Sequence, residues 1–576
     1  MKRLFKYLKG YGKETVLSPL FKLCEAALEL TVPLVIAAII DKGINEGNTG
    51  YVIGMCCLLV MLGAIGLGFS VTAQYYAAVA SVGFVSKIRY ALFAKVQSLS
   101  YRDLDRLGAP TVITRMTSDT QKVQNGLNLT LRLLLRSPFV VFGAMIMAFI
   151  VNPRPSVSFA IAIPLLSVIV FGIMLITMPM YKKVQKGTDA VLSKTRENLA
   201  GVRVVRAFCK ENDEIESFDA KNGALTAMQG RVGMISSLMN PLTYVVINLA
   251  ILALVYLGAV EVDTSGGQFT QGEVIALYNY MSQILVELIK LANLIITISR
   301  AIASADRVAD MLDIVPAETQ GELTECQSSE YAVEFRGAGI TYDGSAEPAL
   351  SNASFAVKWR ETVGIIGGTG SGKSTLVNLI PAFYRATEGE VLLGGAPAHE
   401  YERNAISDIV GVVPQRAVLF RGTVRDNMRW AKADATDEEI YEALKIAEAK
   451  EIVDGKGGLD AEIEEGGANL SGGQKQRLTI ARALVGRPKI LILDDSASAL
   501  DLATDARLRA SLQTSLADTT VFIVSQRTSS IMHADKIIVL DDGEISAIGT
   551  HKELLESSEI YKEIYNSQYG EAVKNG

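Results

Sequence analysis

Six apolar segments in the first half of the chain constrain its fold more than any other feature. They fall at Thr15–Ile40, Tyr51–Val79, Leu131–Val151, Val157–Met180, Ile235–Val260 and Glu273–Ile298. Each is close to or above the ~20 residues that carry a helix across a ~30 Å hydrocarbon core. No water reaches unpaired backbone N–H and C=O groups in that medium, so such segments must be helices.

The connections alternate in length. Those after the first, third and fifth segments, Asp41–Gly50, Asn152–Ser156 and Glu261–Gln271, are short and hold only Lys42 and Arg154 as basic residues. The other two, Ala80–Asn128 and Tyr181–Met234, are long and basic; the second includes Lys182, Lys183, Lys186, Arg203, Arg206 and Lys210. An excess of Lys and Arg marks cytoplasmic connections, which places both chain ends and both long connections in the cytoplasm. The basic start (Lys2, Arg3, Lys6, Lys9, Lys13) leads into a long apolar stretch with Glu25 and Glu29 and no small-residue cleavage site, as expected of an uncleaved first span.

The long connections contain a single proline, Pro110, and keep helix-period apolar residues such as Val85, Ile88, Leu92 and Val96. They are expected to extend the spans as cytoplasmic helices. Reversals are expected near Gly108–Pro110, continuing into a short helix Thr111–Asp119, and within Asn198–Phe208 around Gly201. These transverse elements are the candidates for docking onto the soluble half. Within the spans, Glu25 and Glu29 share one face, as do Arg132 with Arg136 and Glu287 with Lys290. The two arginines lie near the cytoplasmic end and are expected to snorkel. The acids either contact substrate or pair structurally with other helices.

A 49% apolar composition with 20% charged residues fits a membrane part fused to a soluble part. The net charge of −6 argues against a nucleic-acid partner. The five cysteines show no metal-ligand spacing and imply no disulfide framework.

The soluble half contains Gly367-Gly368-Thr369-Gly370-Ser371-Gly372-Lys373-Ser374, preceded by the apolar run Thr362–Ile366 and followed by a helical pattern from Thr375. A strand, a glycine loop and a helix make a phosphate loop. Backbone N–H groups and the positive helix end cradle phosphate oxygens. Lys373 reaches the β- and γ-phosphates, and Ser374 ligates Mg²⁺. Tyr342 lies upstream and either stacks on adenine or fills a strand edge. Pro488–Asp494 is an apolar strand ending in an acid suited to Mg²⁺. Leu470-Ser471-Gly472-Gly473-Gln474 opens a helix whose serine and amides suit a γ-phosphate. Gln415 follows Val412-Val413-Pro414, and Ser498-Ala-Leu-Asp501 follows the acidic strand.

In order and spacing these motifs resemble the ATP-binding cassette transporter superfamily, and the six preceding spans are similar to type IV (B-family) exporter half-transporters. The resemblance implies a six-span helical membrane domain (1–315) with long cytoplasmic extensions. A linker (316–330) would join it to an α/β P-loop cassette domain (331–570), with a tail at 571–576. It implies ATP and Mg²⁺ as cofactors, with Ser374, Gln415 and Asp494 around the metal. It also implies a head-to-tail dimer in which each site combines one chain's phosphate loop with the other's signature helix. The expected setting is the plasma or inner membrane, with the cassette cytoplasmic.

Two positions depart from the family pattern. The glutamate that follows the acidic strand is here Asp495, and the switch-loop histidine is here Gln526. Asp is one methylene shorter, and misplacing a catalytic group by ~1 Å costs ~10²-fold. Glutamine hydrogen-bonds phosphate but cannot become cationic. The signature stays intact. The whole resembles the degenerate-site subunit of heterodimeric bacterial multidrug exporters, which implies a second half-transporter as partner and amphipathic drugs or lipids as substrates. A slow homodimer and a nucleotide-gated channel are the alternatives.

Overall fold

The computed structural model describes residues 2–264, 269–317, 321–327, 329–496 and 499–569. Ser498, four residues of the expected linker and the expected tail lie outside them. The chain divides into two compact units, Met1–Gln97 with Pro110–Ile314, and Ser98–Ala109 with Val315–Gly576.

The first unit is helical. Among the described residues, six helices are long and apolar enough to cross a membrane: Gly12–Ile44, Thr49–Ser98, Ala109–Val151, Pro153–Ala207, Glu211–Asp263 and Gln271–Leu312. Their length reflects the low-proline, helix-period cytoplasmic connections. Two details differ from the sequence expectation. Thr111–Asp119 is not a separate transverse element but the base of the third long helix. The second reversal falls at Phe208–Lys210, where Cys209 adopts φ +53°, and the fourth helix runs straight through Gly201. A helix interior tolerates one Gly at ~1 kcal/mol, so Gly201 alone does not turn the chain.

The sixth helix is the hub. Its Ala276, Leu277, Tyr280, Met281 and Ile284 pack with Ala26 and Leu30 of the first span and Val140, Val141 and Ala144 of the third. The Tyr280 hydroxyl donates to the Leu30 carbonyl at 2.6 Å. The third span breaks at Leu134–Leu135 between helical segments Thr120–Leu133 and Arg136–Val151. Pro138 accounts for the break, since it lacks an N–H and its ring clashes with the carbonyl four residues back.

Arg136 sits just after that break and does not snorkel. It is 7% exposed and forks between two acids, donating to Glu287 at 2.7 Å and to Glu29 at 2.5 Å. Ser137 and Lys290 also donate to Glu287, at 2.8 and 2.9 Å. Lys22 pairs with Glu25 at 2.5 Å. All three span acids are therefore engaged structurally, and the opposite charges of spans one, three and six offset one another where an isolated charge would be costly.

The second unit is α/β. Strands β1 (Tyr331–Ile340), β2 (Leu350–Lys358) and β4 (Glu388–Leu393) form an antiparallel sheet in the order β2-β1-β4, extended by Ala396–Pro397. The other sheet uses β3 (Thr362–Gly367), β5 (Val410–Val413), β6 (Ile490–Asp494), β7 (Thr520–Val524), β8 (Lys536–Asp541) and β9 (Glu544–Gly549), in the order β9-β8-β3-β7-β6-β5. All its pairings are parallel except that of the edge strand β9. β6 is buried at every position, as its unbroken apolar run requires in a covered parallel sheet. The segments leading to the phosphate loop, Gln415, Asp495 and Gln526 all leave the carboxyl ends of adjacent parallel strands. That edge is where open α/β sheets bind ligands.

Candidate nucleotide site

The phosphate loop leaves β3 and enters the helix Lys373–Leu379. Gly370 and Gly372 adopt φ +86° and +92°, and a Cβ at Gly372 would lie 2.7 Å from the Ala349 carbonyl. Only glycine turns the loop this tightly without strain. The Lys373 ammonium folds over the loop and donates to the Gly367 and Gly368 carbonyls at 3.0 and 2.5 Å. Burial lowers its pKa, opposed by the nearby Asp495 and Asp494 carboxylates.

Asp494 ends β6 and accepts from the Ser374 hydroxyl at 3.0 Å. Burial raises its pKa, and the Ser374 hydrogen bond opposes the rise. A hydroxyl beside a single buried carboxylate fits Mg²⁺, which is held by one or two carboxylates together with substrate phosphates. Asp495 turns away in the left-handed region at φ +45°, its N–H donating to the Val524 carbonyl at 3.0 Å. Gln415 Nε2 donates to the Asp495 carboxylate at 3.3 Å. The structure thus groups Lys373, Ser374, Gln415, Asp494 and Asp495 at one sheet edge. Gln526 follows β7, next to β6, with its side chain exposed.

The signature segment lies elsewhere in the unit. Ser471 caps the helix Gly472–Val485 through a capping box, its N–H donating to Gln474 Oε1 at 3.0 Å and its hydroxyl accepting from Gln474 N at 3.3 Å. That helix belongs to a core with Leu470, Leu478, Ile440 and Leu444, whereas Leu376 and Val377 of the phosphate-loop helix belong to another. Asp501 caps the helix Leu502–Ser515, accepting from Thr504 N at 2.9 Å.

Tyr342 is half-buried against the core that holds Leu376 and Val377, and its hydroxyl donates to Thr375 Oγ1 at 3.3 Å. Its ring meets Tyr384 edge-on at 5.3 Å. Tyr384 in turn holds the short helix Tyr101–Leu107, donating to Asp105 at 2.5 Å, while Tyr101 packs on Phe383 at 4.7 Å. Arg102 pairs with Asp343, and the Asp103 carboxylate accepts from Ala317 N at 3.1 Å. Burial and the Asp105 carboxylate raise the Tyr384 pKa, which keeps the phenol a donor. Tyr101–Leu107 is therefore the docked transverse helix, and an aromatic series leads from it to the phosphate-loop helix. Tyr384→Phe removes a hydrogen bond to a carboxylate, an interaction worth about 1.5–3 kcal/mol. We expect transport per ATP consumed to fall several-fold while ATP affinity stays within about twofold. Paired assays of transport and ATP binding check this, and an equal loss in both would refute it.

Motif reasoning missed Gln568. From the helix Glu559–Tyr569 its side chain donates to the Gln526 carbonyl at 2.7 Å and accepts from Thr528 N at 2.9 Å. A polar residue in a terminal amphipathic helix carries no local signature, and only the folded contact exposes it.

Six bilayer-length helices and a P-loop α/β domain define a multi-pass membrane protein with a nucleotide-binding unit. Residues 15–288 match the ABC transporter transmembrane region and residues 350–498 match the ABC transporter family. The chain is 34% identical over 572 residues to the uncharacterized ABC transporter ATP-binding protein YfiB of Bacillus subtilis, covering 99% of both chains. It is 30% identical over 577 residues to an ATP-dependent lipid A-core flippase of Hahella chejuensis, covering 99% of this chain and 97% of the relative. The fold matches a bacterial Atm1-family ABC exporter with ATP bound at TM-score 0.76 and 23% identity, covering 96% of this chain and 98% of that one. The chain belongs to the ABC transporter family and has the exporter fold, with its ATP-binding domain on the cytoplasmic side of the membrane.

Proposed function

We propose that this chain is one half of a heterodimeric ATP-driven exporter that moves amphipathic compounds or lipids out of the cytoplasm or inner leaflet. Its own nucleotide site would bind ATP·Mg²⁺ durably and hydrolyse it slowly. Its signature helix would complete a competent site on the partner's phosphate loop. The contrast between intact binding groups and altered catalytic positions carries this reading. Lys373, Ser374 and Asp494 are present and mutually placed, while Asp495 and Gln526 replace the family's glutamate and histidine. The separate cores of the signature and phosphate-loop helices favour their pairing across two chains. Similarity to a lipid A-core flippase favours a lipid-like substrate.

In this mechanism the N–H groups of residues 368–374 and Lys373 hold the phosphates, and Tyr342 borders the adenine. Ser374, Asp494 and Gln415 would hold Mg²⁺, which neutralises charge on the β- and γ-phosphates when bound. Tyr384 and the helix Tyr101–Leu107 carry cassette closure toward the spans. The Gln415–Asp495 hydrogen bond favours one alternative, in which Asp495 is an oriented weak base in a slow homodimer. Purified chain in vesicles, with and without a second half-transporter, separates the two. We expect ATP-dependent movement of a fluorescent lipid only with the partner present. Transport and slow ATP turnover by this chain alone, both lost in Asp495→Asn, would establish the homodimer instead, and brisk turnover alone would refute the degenerate site.

A further inference from the structure

We propose that Gln568, near the end of the last described helix, is a positioning residue for the switch loop at the nucleotide site. The proposal rests on Gln526 facing the bound nucleotide.

One side-chain amide ties the loop on both sides of Arg527. Gln568 Nε2 donates to the Gln526 carbonyl at 2.7 Å, and Gln568 Oε1 accepts from both the backbone N–H and the hydroxyl of Thr528 at 2.9 Å. A glutamine alone among side chains of this length offers a donor and an acceptor at the same time. Other anchors hold the loop as well. The Ser525 hydroxyl accepts from Arg527 N at 3.0 Å, and Arg509 donates to the Ser529 carbonyl. Arg527 N belongs to the same peptide unit as the Gln526 carbonyl, so Ser525 holds the N–H side of that peptide and Gln568 holds its carbonyl side.

The helix Glu559–Tyr569 is anchored two turns before Gln568. Tyr561 is fully buried and its hydroxyl bonds His551 Nδ1 at 2.7 Å. The cluster it joins contains Ile366, the residue before the phosphate loop, and Ile531, from the helix that follows the switch loop. The terminal helix is thus seated on both nucleotide-facing segments, and Gln568 transfers its position to the backbone of residue 526. The Gln526 side chain then points where that backbone aims it.

The test uses the full-length chain in lipid nanodiscs, with mant-ATP·Mg²⁺ as probe and its release rate as readout. Gln526→Ala and Gln568→Ala should each speed release about fivefold. The double variant should release no faster than either single, because coupled residues are not additive. Gln568→Glu keeps the acceptor for Thr528 but cannot donate to the Gln526 carbonyl. It should match Gln568→Ala while melting at the wild-type temperature, which separates positioning from folding. Wild-type release from Gln568→Glu, or multiplicative effects in the double variant, would overturn the proposal. Faster release from Gln526→Ala with no change in Gln568→Ala would overturn it too while leaving the role of Gln526 intact. No change from Gln526→Ala would instead defeat the underlying placement of Gln526, and the proposal with it.

Discussion

Ser471→Ala in this chain should cut ATP turnover of the assembled exporter about 100-fold, whereas Asp495→Asn should change it by less than about twofold. The asymmetry follows from where each group acts. Ser471 opens an exposed helix N-terminus at the signature, the kind of site that binds an anion supplied from outside. Removing one preorganised donor aimed at developing negative charge costs ~10²–10³-fold in acyl transfer, and the same electrostatics apply at a phosphoryl group. In the heterodimer proposed above, Asp495 belongs to this chain's own altered site, which would contribute little to turnover. Ser471→Ala also removes a helix cap worth about 1 kcal/mol, so a melting curve is measured alongside. Steady-state ATPase of the co-purified pair decides the matter. If Asp495→Asn is the more damaging change, the assignment of the competent site to the partner is wrong.

Arg136→Met should be the most destabilising single change in the membrane unit. It leaves Glu287, 1% exposed, with only Ser137 and Lys290 as partners. Breaking a buried ion pair by removing one member costs about 3–5 kcal/mol when the other charge is left alone, and Lys290, 2.9 Å from Glu287, puts Arg136→Met at about the lower end of that range. That is a large share of the ~5–15 kcal/mol that holds a typical domain folded. The variant should be largely lost from the monodisperse membrane fraction. Arg136→Met with Glu287→Gln removes both buried charges and should recover most of the yield. Wild-type yield and thermal stability from Arg136→Met alone would show that the network is ornamental.

The spans, their orientation and the nucleotide motifs were legible because each rests on a local regularity. Bilayer thickness sets span length, and backbone geometry sets the spacing of glycines, lysine and serine in a phosphate loop. The transverse helix was misplaced by ten residues at its start, from Thr111 to Tyr101. A signal was present: Ser100 and Asp103 have capping-box spacing and do form one. Pro110 is the more conspicuous break signal, yet it is the second residue of the next helix, where a missing N–H is harmless. The members of the charge network, and pairing between helices as one reading of them, were legible, but which residue meets which was not. Arg136 meets partners 107 and 151 positions away, and no periodicity encodes a contact at that distance.

That network also has an order in time. A ribosome delivers span one, then span three, then span six. Arg136 enters the bilayer with Glu29 already available and Glu287 not yet made. In the folded unit Arg136 is paired with both Glu29, whose side chain is 42% exposed, and Glu287, but only Glu29 precedes it in the chain. The last span therefore closes the membrane unit electrically as well as sterically. We expect a chain truncated after span five to retain Arg136 in the membrane only while Glu29 is intact. Glycosylation-site mapping of Glu29→Gln in that truncated chain would reveal whether span three still inserts.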